Sequence, residues 1–148
     1  FRRGRDQQVC VEMTLLDGLV LARSAFHHSL NYRSVVIHGE AEPIADETER
    51  RRALDLFVEG LAPGRNEQLR PMSATELEQT GVMRVSLERA SAKVRTGAPV
   101  DEDEDYEWPV WAGVLPVTTA IGQPQPDPKL KDGVEVPQHV QELTDTSR

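Results

Sequence analysis

Short runs of alternating apolar and polar residues recur along the chain, and this period is typical of β-strands with one buried face. Two of these runs, residues 8–16 and 19–26, are separated only by Asp17-Gly18. An Asp-Gly pair between apolar runs is a strong signal for a two-residue hairpin turn. A third run, residues 33–43, contains β-branched residues that favour a strand. The pattern therefore predicts three consecutive antiparallel strands.

Two helices are predicted after the third strand. Asp46 and Glu49 have the spacing of a capping box, and apolar residues follow at helical intervals as far as Leu61. The same pairing of an N-cap with an acid three residues later recurs at Ser73 and Glu76. Strands joined by tight connections, with only two helices between them, argue against a parallel sheet of βαβ units.

Alternation resumes in residues 82–95 and again in residues 110–117. Gly39, inside the third predicted strand, indicates a bulge or a close approach of another backbone. Near the end of the chain, prolines are frequent among polar residues, and such a segment forms neither a sheet ladder nor a long helix. We therefore predict a mainly β fold, a β-barrel with flanking helices, in residues 1–121 and a proline-rich tail in residues 122–148.

The composition limits the environment and the partners of the chain. The formal net charge of −8 opposes non-specific binding to nucleic acid, because affinity for phosphate comes from an excess of cations. Cys10 is the single cysteine, so no disulfide can form within the chain and a reducing compartment is expected. Since the apolar runs are too short to span a bilayer, we expect a cytoplasmic protein that binds neither nucleic acid nor membranes.

A polar cluster follows the second predicted strand, where solubility alone does not require so many functional groups. Arginine offers a fixed fork to phosphate oxygens, serine and asparagine form hydrogen bonds with a polar ring edge, and tyrosine stacks on planar rings. A flavin mononucleotide needs these contacts, although an ordinary polar loop can have the same composition. The cluster consists of His27, His28, Ser29, Asn31, Tyr32, Arg33 and Ser34.

Three further residues are candidates for binding. Lys93 and Arg95 are two positions apart, so both side chains lie on the same face of an extended strand and can clamp an anion. The alternative is a solvent-facing edge strand, which lysine commonly protects. Trp111 is a stacking or interface residue. Metal binding by His27 and His28 is not expected, because neighbouring residues on a strand point to opposite faces.

Residues 14–36, taken as one block, closely resemble the flavin-nucleotide-binding branch of the pyridoxamine 5′-phosphate oxidase-like family, which includes the nitroimidazole-resistance-type proteins. Residues 91–97 and 109–116 resemble the same branch, in the same order. The resemblance implies an FMN-binding split barrel that lacks the family's N-terminal helix and first strands. It also implies that FMN, or FAD in its place, binds at the interface of a homodimer. In the wider family an Arg-Gln-Val motif contacts the flavin, and here the corresponding residues are Arg33-Ser34-Val35.

Two functional hypotheses stay open. The first is an FMN-dependent oxidoreductase acting on a small-molecule substrate, in which the flavin performs the electron transfer and few catalytic side chains are needed. The second is a non-catalytic flavin or heme carrier, or a dimeric binding module, in which His27 or His28 would ligate heme. No catalytic residue is assigned. The residues expected to bind the cofactor are Ser29, Asn31, Tyr32, Arg33, Ser34, Lys93, Arg95 and Trp111.

Overall fold

The computed structural model describes residues 7–144, and its larger sheet is antiparallel throughout. Strand β1 (Gln8–Leu21) pairs along one edge with β2 (Ser29–Glu40) and, near its C-terminal end, along the other edge with β6 (Gly113–Pro116). Strand β5 (Ala90–Arg95) pairs with the other edge of β2, which gives the order β5-β2-β1-β6. The mainly β fold predicted from the alternating pattern is therefore confirmed.

Asp17 and Gly18 do not form the predicted hairpin turn. Instead, β1 runs through both residues, and its register with β2 shifts between Leu16 and Gly18, so that Asp17 is the extra residue of a β-bulge. A type I′ turn would need a positive φ at both positions, and neither has one. Gly18 pairs with Pro116, and a turn at this point would remove the ladder between β1 and β6. This region therefore contains two long strands instead of the predicted three.

The second long strand begins earlier than the pattern predicted. Residues 29–32, expected in a polar connection, belong to β2, and a short 3₁₀ turn (Ala25–His27) lies between the two long strands. At Gly39 the close neighbour is a side chain and not the predicted backbone, because an added Cβ would lie 2.8 Å from Val85 Cγ1 but 3.6 Å from the Ser86 carbonyl oxygen. Since successive residues of a strand point to opposite faces, the early start of β2 decides where each predicted binding residue lies.

One face of β1 and β2 carries the interior of the larger sheet. Val20 is only 1% exposed, and Ile37 is also buried. Asn31 is a polar residue buried on this same face, because it pairs with Gly18, two positions before Val20. A buried amide must use its hydrogen-bonding groups within the protein, and Asn31 donates from Nδ2 to the Gly97 carbonyl oxygen at 3.0 Å and accepts at Oδ1 from Arg95 Nη1 at 2.8 Å.

The described residues divide into two compact units. The first contains the larger sheet and comprises the residues up to Ala41 together with Val85–Thr118. The second comprises Glu42–Arg84 and the residues from Thr119 onward. Within residues 119–144, the tail forms the short helix α3 (Gln138–Leu143) and no strand, as the proline content predicted. The predicted domain boundary after residue 121 stays a prediction.

Both predicted helices of the second unit are present and begin at the predicted caps. The Asp46 carboxylate accepts a hydrogen bond from the Glu49 backbone N–H at 2.8 Å, and Ser73 and Glu76 form a reciprocal capping box. The strand predicted from residue 82 is shorter than expected and forms only a two-residue ladder. The elements of this unit besides α3 are β3 (Glu42–Pro43), α1 (Glu47–Leu61), α2 (Ala74–Gln79) and β4 (Met83–Arg84), with β3 paired to β4.

Gly18 is closely surrounded within the sheet. A Cβ atom added here would lie 2.9 Å from Val114 Cγ1 and 3.2 Å from the carbonyl oxygen of Leu115. We expect Gly18→Ala to lower the free energy of unfolding by about 1–3 kcal/mol, because a strand backbone cannot move aside as a flexible side chain can. Chemical denaturation measures this loss.

Gly60→Ala is the matched control for this substitution. The Cβ position of Gly60, in α1, has no neighbouring atom within 4 Å. Alanine in the interior of a helix is more favourable than glycine by ~1 kcal/mol, so this variant should be more stable than the wild type. A Gly18→Ala protein as stable as Gly60→Ala would contradict the tight packing described for the bulge.

Candidate functional site

A groove with a volume of about 510 Å³ lies on one face of β1, β2 and β5. This volume is within the range of small-molecule and cofactor sites. Its walls combine aliphatic side chains with three aliphatic hydroxyl groups, one phenol ring, one ammonium group and one carboxylate. The side chains that line it are Glu12, Thr14 and Leu16 from β1, Leu30, Tyr32, Ser34 and Val36 from β2, and Ser91 and Lys93 from β5.

Strand register explains why these side chains meet. Thr14 pairs with Ser34, and Ser34 pairs with Lys93, so the three lie in one row across the sheet. Leu16, Tyr32 and Arg95 form the next row. The Thr14 hydroxyl donates a hydrogen bond to Ser34 Oγ at 2.9 Å. Hydroxyl donors and acceptors are therefore fixed at the centre of the groove.

Lys93 and Arg95 share one face of β5, as their spacing predicted, because their cross-strand partners Ser34 and Tyr32 share one face of β2. Lys93 Nζ lies 6.0 Å from the centroid of the Tyr32 ring, which is within range of a cation–π interaction. Within residues 7–144, neither Lys93 nor Arg95 forms an ion pair with a carboxylate. The Lys93 ammonium lines the groove, whereas the Arg95 guanidinium is not part of its lining and donates to Asn31 Oδ1 at 2.8 Å.

Other predicted binding residues lie outside the groove. Asn31 is buried on the opposite face of β2, and Ser29 pairs with Val20 on that same face. Trp111 is 62% exposed, and its indole lies over Gly113, where an added Cβ would be 2.8 Å from Cζ2. The structure thus brings Tyr32, Ser34 and Lys93 together but separates them from these three.

Arg33 also lies on the opposite face, where it contacts the bulge. Its Nε and Nη2 donate to the two carboxylate oxygens of Asp17 at 2.9 Å each. This hydrogen bonding, with the charge of Arg33, holds the pKa of Asp17 below its ordinary value. Because a bidentate pair already neutralises the guanidinium, Arg33 is less available to a ligand than Lys93 is. Its predicted role in cofactor binding stays a prediction.

The two histidines lie at the end of the 3₁₀ turn, and both contact Ser24. The ring Nδ1 of His27 lies 2.7 Å from Ser24 Oγ. The Nδ1 of His28 lies 2.8 Å from the Ser24 carbonyl oxygen. A carbonyl oxygen can only accept, so Nδ1 of His28 carries the proton. In the neutral ring, Nε2 of this exposed side chain is then an acceptor, which is the state that ligates metals.

A buried ion pair adjoins this turn, and the sequence pattern gave no signal for it. The side chain of Asp101 is fully buried, and its oxygens accept from the Arg23 backbone N–H at 2.9 Å and from Arg23 Nη1 at 3.0 Å. Burial alone would raise the pKa of Asp101, but the hydrogen bonds from Arg23 outweigh it and the pKa is lowered. Asp105 and His27 also have ligand atoms within 4.8 Å of this carboxylate. Arg23 pairs with Asp101 and already supplies a positive charge beside this group of ligand atoms.

Sequence and structure comparisons agree on the class of the protein. Residues 1–94 match the family described as Pyridoxamine 5′-phosphate oxidase. The structure is similar to the flavocytochrome Anf3 from Azotobacter vinelandii, with a TM-score of 0.87 and 46% identity over 92% of this chain and 64% of that chain. It is also similar to the FAD and heme binding protein from Mycobacterium smegmatis, with a TM-score of 0.86 and 37% identity over 93% of this chain and 67% of that chain.

The antiparallel sheet and its groove thus define a domain of the split-barrel class, as predicted. The chain belongs to the pyridoxamine 5′-phosphate oxidase family. It spans about two thirds of the length of the two solved proteins, 64% and 67% respectively. No curated protein matches the sequence. In the part of the chain that the structure describes, no helix has both the length and the apolar character needed to cross a membrane.

Proposed function

We propose that the groove on β1, β2 and β5 binds a flavin nucleotide, FMN or FAD, and that the protein is an oxidoreductase of small molecules. The observation that carries this proposal is the row Thr14, Ser34 and Lys93 in the floor of a groove of about 510 Å³. Support comes from a solved flavocytochrome that is 46% identical and from an FAD and heme binding protein that is 37% identical.

The groove fits the chemistry of an isoalloxazine ring. Leu16 and Leu30 provide apolar surface for its benzenoid end, and the Tyr32 ring can stack on it. The hydroxyls of Thr14 and Ser34 provide hydrogen bonds for its polar edge. When bound, a flavin supplies hydride and single-electron transfer. The residues of this chain would orient the ring, and because the flavin supplies the electron transfer, few acid or base groups are needed.

Lys93 adds positive charge to the wall of the groove, in the same row as the hydroxyls of Thr14 and Ser34. The Lys93 ammonium would hold a negatively charged group of a bound flavin nucleotide. Ser34 occupies the position at which the wider family has glutamine in the Arg-Gln-Val motif. A serine reaches less far than a glutamine, and its hydrogen bond with Thr14 fixes it in the floor. Flavin binding should depend most on Lys93 and Ser34.

A second copy of the chain is part of this proposal, because the strands expose apolar surface on the face opposite the groove. Met13 and Leu15, on this face of β1, are each 58% exposed. Exposed apolar surface of this kind is typical of protein interfaces. We therefore propose a homodimer that covers these strands, in the cytoplasm, where the lone Cys10 would stay reduced. Membership of the nitroimidazole-resistance-type branch is a finer proposal, which rests on the sequence resemblance alone.

Spectroscopy of the purified protein tests flavin binding directly. We expect the protein to retain FMN or FAD through gel filtration, with a bound flavin spectrum that bleaches when reduced nicotinamide is added. Retention without bleaching would favour a carrier over an oxidoreductase. Loss of all flavin during gel filtration, at concentrations where the protein is folded, would contradict the proposal.

Heme is a second candidate ligand, and the orientation of His28 favours it. Its Nδ1–H donates to the Ser24 carbonyl oxygen at 2.8 Å, an arrangement that leaves Nε2 to ligate iron. Phe26, 90% exposed in the same turn, offers an aromatic ring to a porphyrin. Both similar solved proteins are described as a flavocytochrome or as binding heme. We therefore propose His28 as an axial heme ligand.

His28→Ala is expected to abolish heme binding and to leave flavin binding unchanged. The reason is that the substitution removes the iron ligand and lies outside the flavin groove. The Soret band of the protein loaded with heme measures the first effect, and flavin fluorescence measures the second. His27→Ala is the matched control, because the Nδ1 of His27 contacts a hydroxyl and its Nε2 lies 3.6 Å from Glu102. An unaltered Soret band in His28→Ala would exclude His28 as the ligand.

A further inference from the structure

A second groove, the helical groove, lies entirely within the second unit and has a volume of about 730 Å³. Its walls are α1, α2 and the segment 66–72 that leads from one helix to the other. Leu54 and Val58 from α1 face the groove together with Leu69 and Met72 from this segment. Aliphatic walls and a volume of this size are typical of small-molecule sites.

Two hydrogen bonds fix the segment 66–72 to α1 at both of its ends. Asn66 Nδ2 donates to the Asp55 carbonyl oxygen at 2.7 Å, and Arg51 Nη1 donates to the Met72 carbonyl oxygen at 3.0 Å. Leu69, between these two contacts, stays 43% exposed. Protein interiors normally close over apolar space of this size. Because the segment is held at both ends, the helical groove is preformed and its apolar surface is left without a partner.

Arg70 and Glu76, which also line the helical groove, neutralise each other. Arg70 donates to both carboxylate oxygens of Glu76, and Glu76 Oε2 accepts in addition from the backbone N–H and the hydroxyl of Ser73. Hydrogen bonding from Arg70, and then from Ser73, lowers the pKa of Glu76 to about 2. The pair is therefore charged and closed at neutral pH, and neither partner is free for a ligand.

Asp55 is the remaining charged residue of the lining, and its carboxylate forms no ion pair within residues 7–144. Asn66 directs its amide N–H groups at protein acceptors, the Asp55 carbonyl oxygen and Glu59 Oε2 at 3.4 Å, so its Oδ1 is left as an acceptor. A carboxylate and an amide oxygen beside an apolar surface select a ligand that has an apolar body and a positively charged donor group.

From this arrangement we propose that the helical groove is a binding site for a small arylalkylamine, whose ring lies on the aliphatic walls and whose ammonium group pairs with Asp55. The thioether of Met72 favours an aromatic body, because sulfur packs well against aromatic rings. The negative charge of Asp55 would repel a carboxylate of the same shape. This inference does not depend on the proposed flavin function, since the two grooves share no lining residue.

NMR of the methionine methyl groups tests the proposal on the whole chain. Of the three methionines, Met13, Met72 and Met83, Met72 is the one that lines the helical groove. Phenethylamine should shift the Met72 resonance through the ring current of its phenyl group and leave the other two unchanged. Phenethyl alcohol, its neutral analogue, should bind about tenfold more weakly, because it lacks the charge-assisted contact, and hydrocinnamate should produce no shift over the same range.

Asp55→Asn should lower the affinity for phenethylamine about tenfold and leave that for phenethyl alcohol within about twofold. Asp55 is exposed, so this variant should fold. Glu78→Gln is the matched control, because it makes the same change in charge at an exposed acid of α2 outside the lining, and it should bind both compounds as the wild type does. Val58→Phe fills the groove and should abolish the binding of both, with folding checked by circular dichroism.

The proposal would be overturned by an unshifted Met72 resonance in the presence of phenethylamine. Equal affinities for the amine, the alcohol and the carboxylate would also overturn it, because they would indicate non-selective adsorption to apolar surface. The same holds if Glu78→Gln weakens amine binding as much as Asp55→Asn does, since the effect would then come from net charge. If Val58→Phe does not fold, the comparison of Asp55→Asn with Glu78→Gln decides the question by itself.

Discussion

Replacing Lys93 with glutamate is expected to weaken FMN binding about a hundredfold, because it removes a charge-assisted contact and places a negative charge in the groove. Lys93 is the cation that lines the groove, and its Nζ lies 6.0 Å from the centroid of the Tyr32 ring. It forms no ion pair within residues 7–144, so the substitution breaks no salt bridge there and should leave the fold intact. Flavin fluorescence titration and circular dichroism measure the two effects.

Lys129→Glu is the matched control for Lys93→Glu. It makes the same change in net charge on an exposed residue outside the groove. If both variants bind FMN as the wild type does, Lys93 has no part in binding. If both are weakened equally, the effect comes from the overall charge of the protein and not from a local contact.

The largest loss of thermal stability from a single carboxylate substitution is expected for Asp101→Asn. This carboxylate is buried and accepts hydrogen bonds from both the backbone and the guanidinium of Arg23. Asparagine would leave the partly buried Arg23, whose side chain is 22% exposed, without its counter-charge, which is one of the recognised causes of strong destabilisation. The melting temperature at neutral pH measures the loss. Asp103→Asn, at a neighbouring exposed acid, is the control and should leave it nearly unchanged.

The pH dependence of this effect follows from the pKa of Asp101, which is lowered in the folded protein from its ordinary value of 3.8. The unfolded chain binds the proton more readily, so the ion pair stabilises the fold fully above pH 3.8 and its contribution is lost as the pH falls through the folded pKa. The difference in melting temperature between wild type and Asp101→Asn should therefore be largest at neutral pH and shrink in acid. A difference that grows in acid would contradict the assignment.

The sequence predicted local features of the fold better than those that depend on distant residues. The caps at Asp46 and Ser73 were predictable because each involves residues only three positions apart. The bulge at Asp17 was not, since it depends on the pairing of Gly18 with Pro116, far along the chain. An Asp-Gly pair therefore indicates a hairpin only where no third strand pairs with the same residues.

The sequence predicts which residues of the candidate site share a face only where it also predicts the start of the strand. Lys93 and Arg95 were placed on one face from their spacing, and the register confirms this. The pattern predicts a polar connection for residues 27–32 and a strand only from Arg33 onward. Because β2 begins at Ser29, Tyr32 and Ser34 face the groove while Asn31 and Arg33 face away. The contacts of Asn31 with Arg95 and Gly97 join residues far apart in the chain, and no local pattern reveals them.

The single extra residue at Asp17 changes the phase of β1. Before it, even-numbered residues such as Thr14 and Leu16 line the groove; after it, the even-numbered Gly18 and Val20 face the interior. One uninterrupted strand can therefore serve a ligand with its first half and the hydrophobic core with its second, through side chains of the same parity. Deleting Asp17 would join Leu16 directly to Gly18 and would leave both sets of side chains on their present faces, because only the unpaired residue and the carboxylate that Arg33 contacts would be lost.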